Sequence, residues 1–272
     1  MEYQIKPQNK FSLGLKELWE YRELFFMFTW RDVKVKYKQT FLGITWALFQ
    51  PVVMTLLFTL SFGKIISANS TLVIPYPVFA LSGFMIWNIF SSGLSNAGNS
   101  MVNNANIIKK IYFPRLIIPV SSILVSLIDF FIAFIVFIPV LYYFNCALNL
   151  KALLFIPCSI IITCMSTFGL GTFLAAVNVK YRDFRYILPF FIQALLFATP
   201  VIYPVKISNN SLFQLIMEFN PMSAPIELFR HSFTHTQIEL RGLLISIGVS
   251  LFLFLAGIYY FRKTETYFAD LA

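Results

Sequence analysis

Apolar residues fall along this chain in long runs separated by short polar stretches. Six runs meet the requirement of about 20 residues per bilayer crossing at ~1.5 Å of rise per residue. They are Phe41–Gly63, Pro77–Val102, Leu116–Phe144, Leu153–Val177, Ile187–Val205 and Leu243–Phe261. The second is rich in Ser, Gly and Asn in its C-terminal half, and the third is long enough to tilt or to project from the hydrocarbon. Upstream, residues 11–28 follow a helical period of about 100° per residue. Phe11, Leu15, Leu18, Trp19, Phe25 and Phe26 share one side, and Lys16, Glu17, Glu20 and Glu23 share the other, with Arg22 interrupting the apolar face. That pattern fits either a helix lying on the membrane surface or one docked on another part of the protein. Between the last two runs, residues 206–242 hold the short stretches Leu212–Met217 and Ala224–Phe229, broken by Asn220-Pro221 and Pro225. Neither stretch is long enough to cross, so they predict two short helices that dip into the outer face.

The expected fold is therefore an all-α polytopic membrane protein forming a single transmembrane domain over residues 1–272. It has an N-terminal amphipathic interface helix, six transmembrane helices and a re-entrant outer hairpin before the last span. Residues 1–40 form a cytoplasmic segment, 41–261 the six-span core and 262–272 a cytoplasmic tail. Composition agrees: 58% of the 272 residues are hydrophobic, only 12% are charged and Phe occurs 32 times, with a mean hydropathy of +0.74. Soluble domains carry about 25% charged residues, and a soluble globule could not hide this much apolar surface. A soluble enzyme, a disordered chain and a disulfide scaffold are excluded. The first long apolar run begins only near Phe41, so no signal peptide is expected.

The net charge of +9 gives no reason to expect nucleic acid, because the cations flank the apolar runs. With the N-terminus inside, the inner side holds every Lys and Arg of residues 1–40 together with Lys109, Lys110, Arg115, Lys180, Arg182, Arg185, Arg262 and Lys263. The outer side holds Lys64, Lys151, Lys206, Arg230 and Arg241. This bias puts both termini in the cytoplasm. Cys146, Cys158 and Cys164 form no C-x-x-C pair and read as packing residues.

Several residues have chemical potential. No G-x-x-x-x-G-K-[ST] phosphate loop occurs, so the chain is not expected to hydrolyse ATP itself. Asp129 is the one acid well inside a predicted span; it either fixes the bundle through an interhelical hydrogen bond or serves a proton-coupled carrier. Asn88, Ser92, Asn96, Asn99 and Asn103 recur at helical spacing with Ser91 and Ser95 beside them. Such a face either packs on a neighbouring helix or borders a hydrated path suited to hydroxyl-rich cargo. Arg31, Lys34, Lys36 and Lys38, with Tyr37, precede the first run, where they either anchor to headgroups or bind a phosphorylated head group. Glu227, His231 and His235 share a helical face, as zinc ligands or transferase residues would, but they lack the H-E-x-x-H pattern, and no metal is assigned.

Several strings, in order along nearly the whole chain, resemble the membrane subunits of ABC-2 type polysaccharide exporters, which handle O-antigen, capsule and teichoic acid. They are Arg31-Asp32 through Gly43 with Trp46 and Gln50-Pro51, Asn106 through Arg115, Lys180-Tyr181-Arg182-Asp183, Thr199 through Pro204, and Asn220-Pro221-Met222 through Arg230. The resemblance implies a homodimer in the bacterial inner (plasma) membrane with two separate ATP-binding subunits, which would carry the ATP and Mg. No cofactor is expected in this chain. The implied cargo is a glycan on an undecaprenyl-pyrophosphate-type lipid, O-antigen first, with teichoic acid or capsule as alternatives. Coupling to the ATPase would fall on Asn103, Asn106, Lys109, Lys110, Lys180, Arg182 and Asp183. Asn220, Pro221, Glu227 and Arg230 would form an outer gate. Head-group admission would fall on Arg31, Lys34, Lys36, Tyr37 and Lys38, and the translocation path on Asn88, Ser92, Asn96 and Asn99.

Overall fold

The structure, a computed structural model, describes residues 19–38, 43–69, 72–181, 183–204, 211–234, 239–265 and Phe268. Residues 11–18 of the predicted interface helix, Arg182, His235 and most of the tail lie outside these. Regular structure among the described residues is helical throughout. In chain order the helices are α1 (Arg22–Tyr37), α2 (Trp46–Asn69), α3 (Tyr76–Asn103), the single turn α4 (Ala105–Ile108), α5 (Ile117–Tyr143) and α6 (Ala152–Lys180). They are followed by α7 (Phe184–Phe197), the short pair α8 (Ser211–Phe219) and α9 (Ser223–His231), and α10 (Leu240–Thr264).

Five of these, α2, α3, α5, α6 and α10, are long and apolar enough to cross a bilayer. Four match predicted runs to within a few residues at each end. The first crossing starts later than predicted. A 3-10 turn at Gly43–Thr45 precedes α2, with Gly43 at φ 52°, a left-handed conformation that glycine adopts without penalty. The fifth predicted run, Ile187–Val205, departs most. Its helix has 14 residues, about 21 Å at 1.5 Å per residue against a hydrocarbon core of about 30 Å. Pro200 explains the stop: the residue before a proline is disfavoured in helical conformation, and proline offers no N–H to continue the ladder. The chain then turns through residues 198–203.

The described part of the predicted surface helix also differs. It belongs to α1, which runs on to Tyr37 as one helix and packs along α5. Docking on the bundle, one of the two readings open from sequence, is what the described residues adopt.

α3 is the most enclosed helix and forms the centre of the bundle against α5, α6 and α2, while α2 and α10 keep most of their surface outward. The core has two parts. One joins α3, α5 and α9 through Phe79, Phe90, Phe130, Phe137, Phe229 and Phe233. The other closes the opposite end of the bundle through Phe28, Met101, Phe113, Leu116, Phe261 and Phe268. Buried hydroxyls bond within the bundle: Thr163 and Thr167 donate back to Ser159 and Thr163 carbonyls at 2.8 and 2.7 Å, and Ser166 donates to Ser250 across α6 and α10 at 2.9 Å. These two helices touch backbone to backbone, and a Cβ on Gly257 would overlap the Gly169 carbonyl.

Gly257→Ala is therefore expected to destabilise the purified protein by about 1–3 kcal/mol, the usual cost of overpacking, read as a lowered Tm in detergent. Gly248→Ala, with open space around the new methyl, is expected to leave Tm unchanged or slightly raised, since alanine favours helix.

Candidate functional site

A groove of about 160 Å³ opens between α2, α3 and α7. α2 contributes Gln50, Pro51 and Met54, α3 contributes Phe84, Trp87, Asn88 and Ser91, and α7 contributes Pro189, Ile192, Gln193 and Leu196. Its polar side chains are three carboxamides and one hydroxyl, with no ionisable group. None of Gln50, Asn88, Ser91 or Gln193 hydrogen-bonds another described residue. An amide turned to lipid without a partner loses about 1–3 kcal/mol or more, so this wall is built for water or a polar guest rather than acyl chains.

The Asn/Ser stripe of α3 divides along its length. Asn88 faces the groove. Further along, Asn96 donates to Ser92 at 3.4 Å and Asn99 to the Ser95 carbonyl at 2.9 Å. Asn178 of α6 donates to the Gly98 carbonyl at 3.0 Å and to Asn99 Oδ1 at 3.2 Å. Interhelical bonding and the polar-lined groove both occur, at different heights of the same face.

The cationic stretch at 31–38 lies on α1 and splits between two faces. Lys36 pairs with one oxygen of Asp129 and the Tyr37 hydroxyl donates to the other. Asp129 is only 1% exposed, so the acid read as isolated from sequence is held on both oxygens. Burial first, and then the carboxylate, push the Tyr37 phenol well above its ordinary pKa, which keeps it a neutral donor. On the outward face Met27, Trp30, Arg31, Lys34, Val35 and Lys38 border a shallow depression of about 500 Å³. There Arg31 pairs with Asp32 at 2.7 Å and stacks over Phe28 at 4.7 Å, while Lys34 sits 5.2 Å from the Trp30 ring.

At the Phe28 end of the bundle, Asn103, Asn106, Lys109 and Lys110 are all exposed. Ile111 and Tyr112 follow them at 61% and 69% exposure, large apolar groups with no cover from this chain. The loop is fixed by buried Ile108 and Phe113, the Phe113 ring lying 5.6 Å from Phe28. The Arg115 guanidinium donates to the Glu265 carbonyl, and Arg262 bonds the Glu265 carboxylate at 2.8 Å. Lys180 and Asp183 are exposed at the neighbouring α6–α7 turn.

At the other end, α8 and α9 hold the turn that follows α7. Arg230, 7% exposed, donates to the carbonyls of Pro200 at 2.7 Å, Val201 at 2.8 Å and Phe79 at 3.0 Å, with its guanidinium 3.5 Å from the Phe79 ring centre. Burial lowers its pKa, and nearby Glu227 and Tyr76 oppose that shift. Gly83 makes room for the guanidinium, since a Cβ there would meet Nη2 at 2.6 Å. Asn220 donates to the Ala198 carbonyl at 2.7 Å and to Thr199 Oγ1 at 2.9 Å, and accepts from the Met222 N–H at 2.8 Å. The Pro221 carbonyl receives the Ser250 hydroxyl at 3.4 Å, and Glu227 is half-buried. Among the described residues no three His, Cys, Asp or Glu side chains stand together as metal ligands.

Sequence reasoning did not single out Gln50, Trp87, Gln193, Asn178 or Phe113 as site residues. The signal available was an amide inside an apolar run at Gln50 and Gln193, which has the same physical meaning as the Asn stripe.

The family profile for ABC-2 type transporters matches residues 23–234. The O-antigen export system permease protein RfbA of Myxococcus xanthus is 27% identical over 263 residues, 94% of this chain and 98% of that protein. The protein of the same name from Klebsiella pneumoniae is 26% identical over 250 residues, 92% and 95% of the two chains. The polysialic acid transport protein KpsM of Escherichia coli is 24% identical over 238 residues, 83% and 88%.

Removing Lys36 alone leaves the Asp129 carboxylate buried without its cation, which costs about 3 kcal/mol, less whatever solvent reaches the partly exposed ammonium. Lys36→Met should therefore lower Tm more than the double variant Lys36→Met/Asp129→Asn does, as measured by thermal unfolding in detergent.

Proposed function

The chain belongs to the ABC-2 type transporter family, and from that premise we propose that it is the membrane-spanning half of an ATP-driven polysaccharide exporter. Two copies would pair in the bacterial inner membrane, with two ATP-binding subunits beneath them. The cargo is a glycan on a polyprenyl-pyrophosphate carrier, of the O-antigen type rather than capsule or teichoic acid. The O-antigen permeases named above, similar over nearly their whole length, support that choice.

The observation that carries this reading is the groove between α2, α3 and α7, whose amides have no partner among the described residues. Carboxamides donate and accept at once, which suits a polymer of hydroxyls. Trp87 and Phe84 add flat faces on which sugar C–H groups slide without a fixed hydrogen-bond pattern. Weak contacts at many positions let a repeating chain move without becoming trapped.

In this scheme α7 and its following turn complete a sixth crossing, which keeps both termini in the cytoplasm. The pair α8–α9 dips back from the outer face, and Asn220 and Arg230 make it move as one body with the end of α7. The pyrophosphate head meets the outward cations of α1, Arg31, Lys34 and Lys38. The ATP-binding subunit seats on Asn103–Lys110, reading Lys109 and Lys110 by charge, with Lys180, Arg182 and Asp183 beside them. ATP binds with Mg on that subunit, because this chain has no phosphate loop.

Reversing both loop charges, Lys109→Glu with Lys110→Glu, is expected to abolish surface glycan and copurification of the ATP-binding subunit. The amount of this chain in the membrane should stay within about two-fold, as exposed substitutions cost little stability. Immunoblots of membranes and of surface glycan check both points, and unchanged glycan display would refute the coupling role.

A further inference from the structure

We propose that the α2–α3–α7 groove is a subsite for uncharged sugar residues, so that the repeating unit this chain carries bears neither carboxylate nor phosphate. The inference rests on the reading that cargo passes along this groove, and adds what kind of cargo it is. Three helices each contribute one carboxamide, Gln50, Asn88 and Gln193, and α3 adds the Ser91 hydroxyl and the ring of Trp87. None of the four polar groups is bonded within the described residues, so their donors and acceptors remain available to hydroxyl and acetamido groups.

What the walls lack is equally specific. α3 contains no charged residue at all. α2 contains only Lys64, near its C-terminal end, and α7 only Arg185, in its first turn. These two cations stand toward opposite ends of the bundle, and neither lines the groove. A path for an anionic polymer needs cations along it, as anion pores have, because a carboxylate drawn past Met54, Ile192 and Leu196 would otherwise lose its hydration without compensation. Cations do gather elsewhere, on the outward face of α1 at Arg31, Lys34 and Lys38. The charge of the lipid-linked head and the neutrality of the sugar chain are thus met by different parts of the molecule.

The test uses the chain in its own cells with its own ATP-binding subunit. Deleting the gene must remove the surface glycan; a glycan that persists overturns the export reading and this inference with it. Chemical analysis of the glycan made by the unaltered strain then addresses the inference alone. Neutral and N-acetylated sugars only are expected, and an acidic sugar or phosphodiester in every repeat overturns it while export stands. Independently, Gln193→Lys and Gln193→Glu are compared, with surface glycan normalised to the chain present in the membrane, and the same pair is made at Gln50. A neutral cargo predicts that either charge lowers export by a similar factor, about ten-fold. Lysine raising export while glutamate abolishes it, or neither having an effect, overturns the proposal.

Discussion

Inside a bilayer a polar atom has no water to fall back on, so each one must find a partner within the protein or face a hydrated space. This constraint orders the whole molecule. Asp129 is satisfied on both oxygens by α1. Arg230 spends its guanidinium on three carbonyls from two separate segments. The serines and threonines of α5, α6 and α10 bond to their own helices or across to a neighbour. A few buried atoms, Thr59 Oγ1 and Asn178 Oδ1 among them, lack a partner singly, whereas the groove gathers four unbonded polar side chains in one place.

The two strongest polar contacts also determine which pieces move together. The Lys36 and Tyr37 bonds to Asp129 lie near the end of α1, while Phe28, near its middle, packs on Phe113. α1 is thereby tied to α5 at Asp129 and to the loop that leads into α5 at Phe113. At the opposite end Arg230 joins α9, the start of α3 and the turn after α7, and Asn220 adds a second grip on that turn. A push on the exposed loop at 109–112 therefore acts on the α1–α5 pair as a unit. A shift of the α8–α9 pair carries the end of α7 with it. Two walls of the groove, α3 and α7, are joined at this end through Arg230, while its third wall, α2, is not part of that junction.

Much of the fold was legible in the sequence, because a span announces itself through an uninterrupted apolar run. The ends of α3, α5, α6 and α10 follow from that rule alone. The helix of the fifth run is shorter than its apolar stretch, because hydropathy counts Val201, Ile202 and Val205 as readily as it counts Leu195. Only the backbone chemistry of Thr199-Pro200 says that the helix must stop. Residues 22–37 were divided in the sequence between a surface helix and a basic stretch because Arg22 and the cations from Arg31 to Lys38 obscure the period. Their continuity becomes apparent once Asp129 is known to receive Lys36. The site was legible in kind rather than in place. Of the Asn stripe only Asn88 reaches the groove, and Gln50 and Gln193 come from helices more than a hundred residues apart in the chain, which nothing in one-dimensional spacing joins.

The same rule of pairing separates Asp129 from the loop at 109–112. A carrier driven by protons needs an acid that exchanges its proton with an aqueous path during the cycle. Asp129 is nearly unexposed and bonded on both oxygens by Lys36 and Tyr37. Its bonds tie α5 to α1, and the described residues of the spanning helices offer no second acid. What the chain does present outward is a fixed loop bearing Lys109, Lys110, Ile111 and Tyr112, charges beside uncovered apolar groups. That combination is costly in water and useful against another protein surface. The loop is held from behind by Phe113 and Arg115, so force applied there is transmitted to α5 rather than absorbed. That loop is the surface on which the proposed ATP-binding subunit would seat.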